Sequence, residues 1–419
     1  MSILTSFIKN SLKRLSLSFT KESALASFFF FLVLCSWYIL RPVRNEMAVQ
    51  NADILPYLLG AGALAMLLLH PLYSWLASRR NLKGMLRGCY LFFVSNLAIF
   101  IFLWEVLNLS NATWLGYLFY IWCNVFSFFI VSIFWVVIIN LFRGEQATNV
   151  FGVIAAGGSM GALLGSEISK RLASTFTESG VLFFTLISIF FLLIAMEIGV
   201  TLLNRFRLLE GIERPAGGTS FDSIKNLVSS SQISAIALYM YLWTAMMTIH
   251  WITSVRIIEG WSANEETRII FFSSLEQTVT ILTLFTQFFL TSAIIRFAGP
   301  KNILMLYGFL FIGVFIGYYV YPSISYVFAV TVILRLFEYG INKPTREVVF
   351  SYLKRMDRYK SSVLAETFFV RFGDFSASIF IVLTKSSIAF SHIPLLAIPF
   401  AGCLAFLGFK IPPKEKITS

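Results

Sequence analysis

WLGYLFYIWCNVFSFFIVSIFWVVIINLF, residues 114–142, contains no charged side chain in 29 positions. A helix needs about 20 apolar residues to cross the hydrocarbon core of a bilayer. The rest of the chain repeats the theme: 58% of the 419 residues are hydrophobic, 17% are aromatic with Phe 45 as the bulk, and only 13% are charged. Ordinary soluble domains carry roughly 25% charged residues. This much apolar surface excludes a soluble domain, and a disordered chain would not contain it. The apolar content suffices for about twelve spans. Spans are expected at about 23–47, 53–77, 86–105, 114–142, 149–172, 181–204, 232–257, 267–295, 301–320, 324–345, 360–385 and 391–410. The fold class is therefore an all-α membrane protein of twelve transmembrane helices. The longest polar break, about 205–231, divides them into six and six. The expected organisation is a basic tail (1–22), an N-terminal bundle (23–204), a central loop (205–231), a C-terminal bundle (232–410) and a short tail (411–419).

Formal net charge is +12. In a membrane chain, excess Lys and Arg marks cytoplasmic loops rather than a nucleic-acid partner. Arg79, Arg80, Lys83, Arg87, Arg143, Arg296, Lys301, Lys354, Arg355, Arg358, Lys360 and Lys410 fall on the side of the two termini, which the bias assigns to the cytoplasm. The cysteines have no CxxC or Cys/His spacing and the three histidines are scattered, so no metal, disulfide framework or cofactor is indicated. No cleavage site follows the first apolar run, and the tail before it, with Lys9, Lys13, Arg14 and Lys21, reads as a positive-inside anchor.

The two halves resemble weak copies. LASRRNLKGML (76–86) matches IIRFAGPKNILML (294–306) as a short basic turn into an apolar helix, and WYILRPVRNEM (37–47) matches HWITSVRIIEG (250–260). Parallel six-helix repeats are the architecture of the major facilitator superfamily, which places its solute site between the halves at mid-membrane.

Charge at bilayer depth is expensive and marks function by default. In LRPVRNEM (40–47), Arg41 and Arg44 share a helical face, Glu46 follows, and Pro42 loosens the backbone. Forked guanidiniums there suit phosphate or carboxylate, and interfacial snorkelling is the plainer alternative. In LFRGEQATNVFG (141–152), Glu145 beside Arg143 reads as a gate latch or a solvated pair. In VILRLFEYGINKPTREVVF (332–350), Arg335 lies near mid-membrane with Glu338 at i+3, and Gly340 and Pro344 interrupt the helix amid Lys343, Arg346 and Glu347. Broken helices flanked by ionisable groups are where transporters place sites. In FFVRFGDFSAS (368–378), Arg371 and Asp374 form an i,i+3 pair. Glu276 and Gln277 also lie at depth, and Glu197 has no evident partner. Gly157, Gly161 and Gly165, spaced by four in an apolar helix, read as close helix packing and not as a phosphate loop.

Three segments make the chain resemble the ATP/ADP translocases of plastids and intracellular bacteria, together with their less characterised bacterial relatives. YILRPVRNEM (38–47) is similar to the end of that family's first helix, with Arg44 in place of a key lysine. RGEQATNVFG (143–152) puts Glu145 on the family's functional glutamate. In NKPTREVVF (342–350), Pro344, Thr345, Arg346 and Glu347 match the family's Asp-Pro-Thr-Lys-Glu segment by position and type. There are departures: Asp374 stands where the translocases have a functional lysine, and TIHWITSVR (248–256) lacks their acidic residue.

The resemblance implies an alternating-access transporter of a small anionic organic solute, monomeric in the bacterial inner membrane, with ATP/ADP exchange as the named candidate. Arg41, Arg44, Arg335, Lys343, Arg346 and Arg371 would hold anionic groups, and Glu46, Glu145, Glu276, Glu338, Glu347 and Asp374 would gate or couple. The alternative is a proton-coupled carrier of another metabolite, an organic acid or a siderophore-like molecule, with Glu276, Glu338 or Asp374 carrying the proton. A membrane enzyme or lipid-handling protein is the least supported reading, since no Ser/His/Asp, metal or nucleotide-hydrolysis constellation is present.

Overall fold

The structure is a computed structural model that describes residues 20–79, 82–109, 112–142, 145–175, 181–205, 231–351 and 365–411. The tail before residue 20, the central loop, Arg143 and the last eight residues lie outside the described residues. So does the side chain of Glu145. The described chain is helical: α1 (Lys21–Gln50), α2 (Leu55–Arg79), α3 (Leu82–Ile101), α4 (Thr113–Leu141), α5 (Glu145–Thr175), α6 (Leu182–Arg205), α7 (Ser231–Trp261), α8 (Glu265–Phe285), α9 (Thr291–Val320), α10 (Ile324–Phe337), α11 (Lys343–Ser351), α12 (Val370–Thr384) and α13 (Ile393–Lys410). Wide π turns follow α3, α8 and α10 and precede α12.

Among the described residues, nine helical stretches are long and apolar enough to cross a membrane, against the twelve expected. One expected span is merged with its neighbour, and two reach beyond the described side chains. Residues 265–320 run as one 56-residue helical stretch and count once, although they hold two expected spans. That stretch bends at Gly299, whose φ of 74° only glycine adopts comfortably, with Pro300 next. α2 is 25 residues long, but its side chains are described only over the apolar stretch Leu55–Leu69. The span expected at 360–385 is described only from residue 365. Large apolar side chains point outward along the helices, among them Leu68, Phe92, Phe190, Phe289 and Leu383 at 59–70% exposure, which suits contact with lipid and not with water.

The chain forms two compact units that do not follow the polar break. One comprises Met1–Glu46, Tyr73–Pro215 and Glu265–Thr280; the other comprises Met47–Leu72, Ala216–Asn264 and Ile281–Ser419. In the first, α1 packs on α5 through the glycine stripe. A Cβ on Gly157, Gly161 or Gly165 would lie 2.5, 2.1 or 2.6 Å from the carbonyl oxygens of Ser27, Phe31 and Cys35. Both helices advance four residues per contact, so a backbone-to-backbone seam forms, as the spacing predicts. On another side of α1, Phe29 and Phe30 meet Phe134 of α4 at 5.0 and 4.2 Å between ring centroids. In the second unit, α9 and α13 interlock the same way: a Cβ on Gly308 would lie 2.4 Å from the Ala405 nitrogen, and one on Gly408 would lie 2.5 Å from the Leu304 carbonyl carbon.

Candidate functional site

The first unit gathers five charged side chains from two helix segments, the end of α1 and the start of α8. Glu46 and Arg268 are both buried, and both carboxylate oxygens accept from the guanidinium, with Nε at 2.9 and 2.8 Å and Nη2 closing the fork. Arg41 Nε lies 3.1 Å from Oε1 of Glu276, a carboxylate 1% exposed, and Arg41 Nη1 donates to the Tyr38 hydroxyl. Arg44 lies three residues along the same face. Its Nη1 donates to Asn124 Oδ1 at 2.6 Å and its Nη2 to Asn45 Oδ1 at 2.7 Å, while the guanidinium stands over the Tyr120 and Trp37 rings at 5.2 and 6.0 Å. The head group turns into the bundle toward α4, so it does not snorkel outward.

Two carboxylates thus serve Arg41 and Arg268. Among the described residues no carboxylate comes within ion-pair distance of Arg44, whose buried Nε has no hydrogen-bond acceptor. A guanidinium offers five N–H donors, and amide oxygens neutralise none of its charge. The cluster keeps one net positive charge at a depth where charge is costly. Farther along α8, Gln277 donates to Glu167 of α5, which is held by Arg171 one turn away.

The second unit holds the π-turn site. The expected break at Gly340 and Pro344 is a widened turn, Glu338–Asn342, after which the helix resumes at Lys343 with Pro344 in its first turn, where proline is tolerated. Widened turns recur at functional positions. Glu338, expected to pair with Arg335, is chelated by Arg346: Nη2 to Oε1 at 2.8 Å and Nη1 to Oε2 at 3.2 Å, both residues buried. Asn342 Nδ2 also donates to Oε2, at 2.6 Å, and the Tyr239 hydroxyl donates to Asn342 Oδ1. The Arg346 guanidinium lies 4.5 Å over Trp243. Arg335 is buried, with its guanidinium 5.7 Å from the Tyr339 ring, so it does not face acyl chains. Lys343 and Glu347 lie on the exposed side of α11.

On α12, Arg371 Nη1 meets Asp374 Oδ2 at 3.2 Å, as the spacing predicts, and Thr248 of α7 donates to the other oxygen at 2.7 Å. Glu197 has a partner after all, Arg87 of α3 at 3.7 Å. Outside the spans, Asp53 in the turn after α1 pairs with Arg256, and that hydrogen bond holds its carboxyl below the usual carboxylate range.

Arg268 and Asn124 were not singled out from the sequence. Arg268 follows Glu265 and Glu266 at the outer edge of its helix and reads as a surface charge; the signal for it was Glu46, a deep carboxylate in need of a cation. In the sequence His250 is one of three scattered histidines with no sign of a role. It is buried, with Nδ1 2.8 Å from the Tyr318 hydroxyl and Nε2 3.2 Å from Thr331 Oγ1. Among the described residues no group of His, Cys, Asp and Glu side chains could hold a metal.

No protein-family model and no curated protein matches the chain. Solved structures do. A bacterial homologue of the human lysosomal transporter Spinster, inward-facing and unoccupied, superposes with a TM-score of 0.58 at 13% identity, covering 94% of both chains. A variant of the nucleoside transporter NupG gives 0.64 at 15% identity, covering 94% of this chain and all of the other. The D-xylose-proton symporter gives 0.65 at 11%, covering 94% and 98%. Identities this low speak for the fold alone, and the likeness spans nearly all of each chain. The protein is a multi-pass α-helical membrane protein whose fold is the one seen in these three transporter structures.

Proposed function

We propose that the chain is a proton-coupled, alternating-access carrier of a small organic solute bearing an anionic group. It would work as a monomer of twelve spans in two six-helix bundles, 23–204 and 232–410, across a bacterial inner membrane with both termini cytoplasmic. The observation that carries the reading is Arg44: a guanidinium in the first span, held by amide oxygens, beside two carboxylates already committed to other guanidiniums. A carboxylate or phosphate on the solute would supply the missing negative charge, with the fork geometry guanidinium favours. Glu276 and Asp374, each on an arginine, are the candidate proton carriers. Protonating Glu276 would free Arg41 to join Arg44 on the solute, so proton and anion would travel together. One similar structure is named as a proton symporter and another as a nucleoside transporter, which favours this reading over ATP/ADP exchange.

Nucleotide exchange remains the second reading, on the resemblance at Pro344 to Glu347. A triphosphate would need several free cations. Arg346 and Arg371 are already paired with carboxylates, which argues for a solute of lower charge.

Proteoliposomes decide between them. Uptake of labelled organic acids should rise when the outside is made acidic, so that protons run inward, and Arg44→Gln should weaken apparent solute affinity by about 1.5–3 kcal/mol, the range for a hydrogen bond to a charged group. Arg44→Lys should lose less, because it keeps the charge. Equal affinity in all three proteins would remove Arg44 from the site. Exchange of external ATP for internal ADP, indifferent to pH, would replace proton coupling with the second reading.

A further inference from the structure

We propose that the Gly299–Pro300 bend and the last turn of α13 together form a binding site for an anionic phospholipid, with a headgroup of the phosphatidylglycerol or cardiolipin class. The site lies wholly within the second unit. Arg296 and Phe297 precede the bend and Lys301 follows it, while Phe406, Phe409 and Lys410 end α13. The two segments are adjacent because α9 and α13 touch backbone to backbone at Leu304 and Gly408. Lys301 Nζ sits 3.8 Å from the centroid of the Phe409 ring and Lys410 Nζ 4.7 Å from that of Phe406.

Charge and exposure together select the partner. No Asp or Glu occurs between residues 277 and 337 or between 375 and 414, and among the described residues none of the three cations has a carboxylate within ion-pair distance. Ring faces hold the two ammonium groups without neutralising them. The rings themselves face outward: Phe297 is 96% exposed, Phe406 55% and Phe409 52%. A solute pocket would enclose such rings; an acyl-chain boundary would cover them from outside. Aromatic bodies at the hydrocarbon edge with cations above them match a phosphate headgroup and its chains at once. The charge bias along the chain assigns this end of α9 and α13 to the cytoplasmic leaflet, where anionic headgroups attract basic segments.

The test uses the full-length chain, purified in detergent and stripped of lipid. Native mass spectrometry then measures binding of phosphatidylglycerol and of phosphatidylcholine with the same acyl chains. Wild type should favour phosphatidylglycerol by at least tenfold. The triple variant Arg296→Gln, Lys301→Gln, Lys410→Gln should lose that preference, at roughly fivefold per cation, while its phosphatidylcholine binding stays unchanged. A control triple, Lys21→Gln, Lys83→Gln, Arg205→Gln, removes equal charge elsewhere and should keep the preference. If the first triple fails to fold, Lys301→Met and Lys410→Met, which keep the apolar stem, should each weaken binding about fivefold. Equal binding of the two lipids by wild type would overturn the proposal, as would a preference retained by the first triple or the methionine variants, or lost equally in the control. Competition by free glycerol phosphate as strong as that by lipid would overturn it too, because a soluble anion would then be the ligand.

Discussion

Removing one partner of the Glu338–Arg346 pair should cost far more than removing both. The two side chains are each 4% exposed and meet through two hydrogen bonds, at 2.8 and 3.2 Å, with Asn342 on the same carboxylate at 2.6 Å. Glu338→Leu would strand the Arg346 guanidinium against Trp243 with its charge unopposed. Arg346→Met would strand the carboxylate, with the Asn342 amide as partial relief. Breaking a buried ion pair from one side costs about 3–5 kcal/mol, whereas replacing both ends by apolar residues of similar volume is often neutral or stabilising. The double variant Glu338→Leu, Arg346→Met should therefore recover most of the loss, giving a coupling of several kcal/mol in a double-mutant cycle. Stability would be measured by steric trapping or by denaturing-detergent titration of the reconstituted protein. Single losses below about 1 kcal/mol, or losses that simply add, would refute the argument, because a pair that strong cannot be exposed or independent. Transport by the recovered double variant then assigns Arg346. Full activity makes it a positioning residue of the widened turn; inactive but stable protein makes it a solute contact.

Gly161→Ala should lower stability by about 1–3 kcal/mol by overpacking, since its Cβ would fall 2.1 Å from the Phe31 carbonyl oxygen, while Gly402→Ala, with nothing within 4 Å, should be close to neutral; thermal melts of the two compare directly. The Asp53–Arg256 pair should make stability acid-sensitive. Arg256 depresses the folded carboxyl below the unfolded value of about 3.9, so the contribution is complete above that pH and disappears as pH falls through the lower folded value. Melts recorded down to pH 3 should show this loss in wild type and its absence in Asp53→Asn, and identical acid curves would exclude the pair as its source.

The membrane fold was legible because apolar content and run length are direct consequences of the bilayer as solvent. The glycine stripe of α5 was legible too, because four-residue spacing maps straight onto one helix face. The pairing of Glu338 was not. Counting by the ordinary helical period places Arg335, three residues before it, on its face. The widened turn inserts one residue, so an i,i+8 pair across it behaves as i,i+7, two full turns apart on one face, and Arg346 comes into reach. Gly340 and Pro344 announce a break there, but not that it takes the form of one inserted residue. The Arg268–Glu46 pair was hidden for another reason, because its partners are 222 positions apart and only tertiary structure brings them together. The Asp374–Arg371 pair, three residues apart in a regular helix, was read correctly.

The pairing pattern also bears on what a carrier of the proposed kind could move. At the end of α1, sequence alone shows two arginines and one glutamate, an apparent excess of cations suited to a polyanion. The structure brings Arg268 and Glu276 from α8, one charge of each sign, so the net excess is unchanged but its location is fixed. Arg41 and Arg268 each have a carboxylate, and the excess resides on Arg44. A permanent surplus in a low-dielectric interior is costly while the site is empty. It is relieved when an anionic group binds, so the same charge that penalises the empty site raises its selectivity for a negatively charged solute. A second anionic group would have no free partner until Glu276 takes up a proton and releases Arg41. On the proposed function, solute charge and proton number would then be linked: a monoanion would engage Arg44, and a further negative charge would call for the proton that releases Arg41. Comparing the pH dependence of uptake for mono- and dicarboxylates of similar size tests that linkage. Steeper dependence for the dicarboxylate is expected, and equal dependence would separate the proton from the anion site.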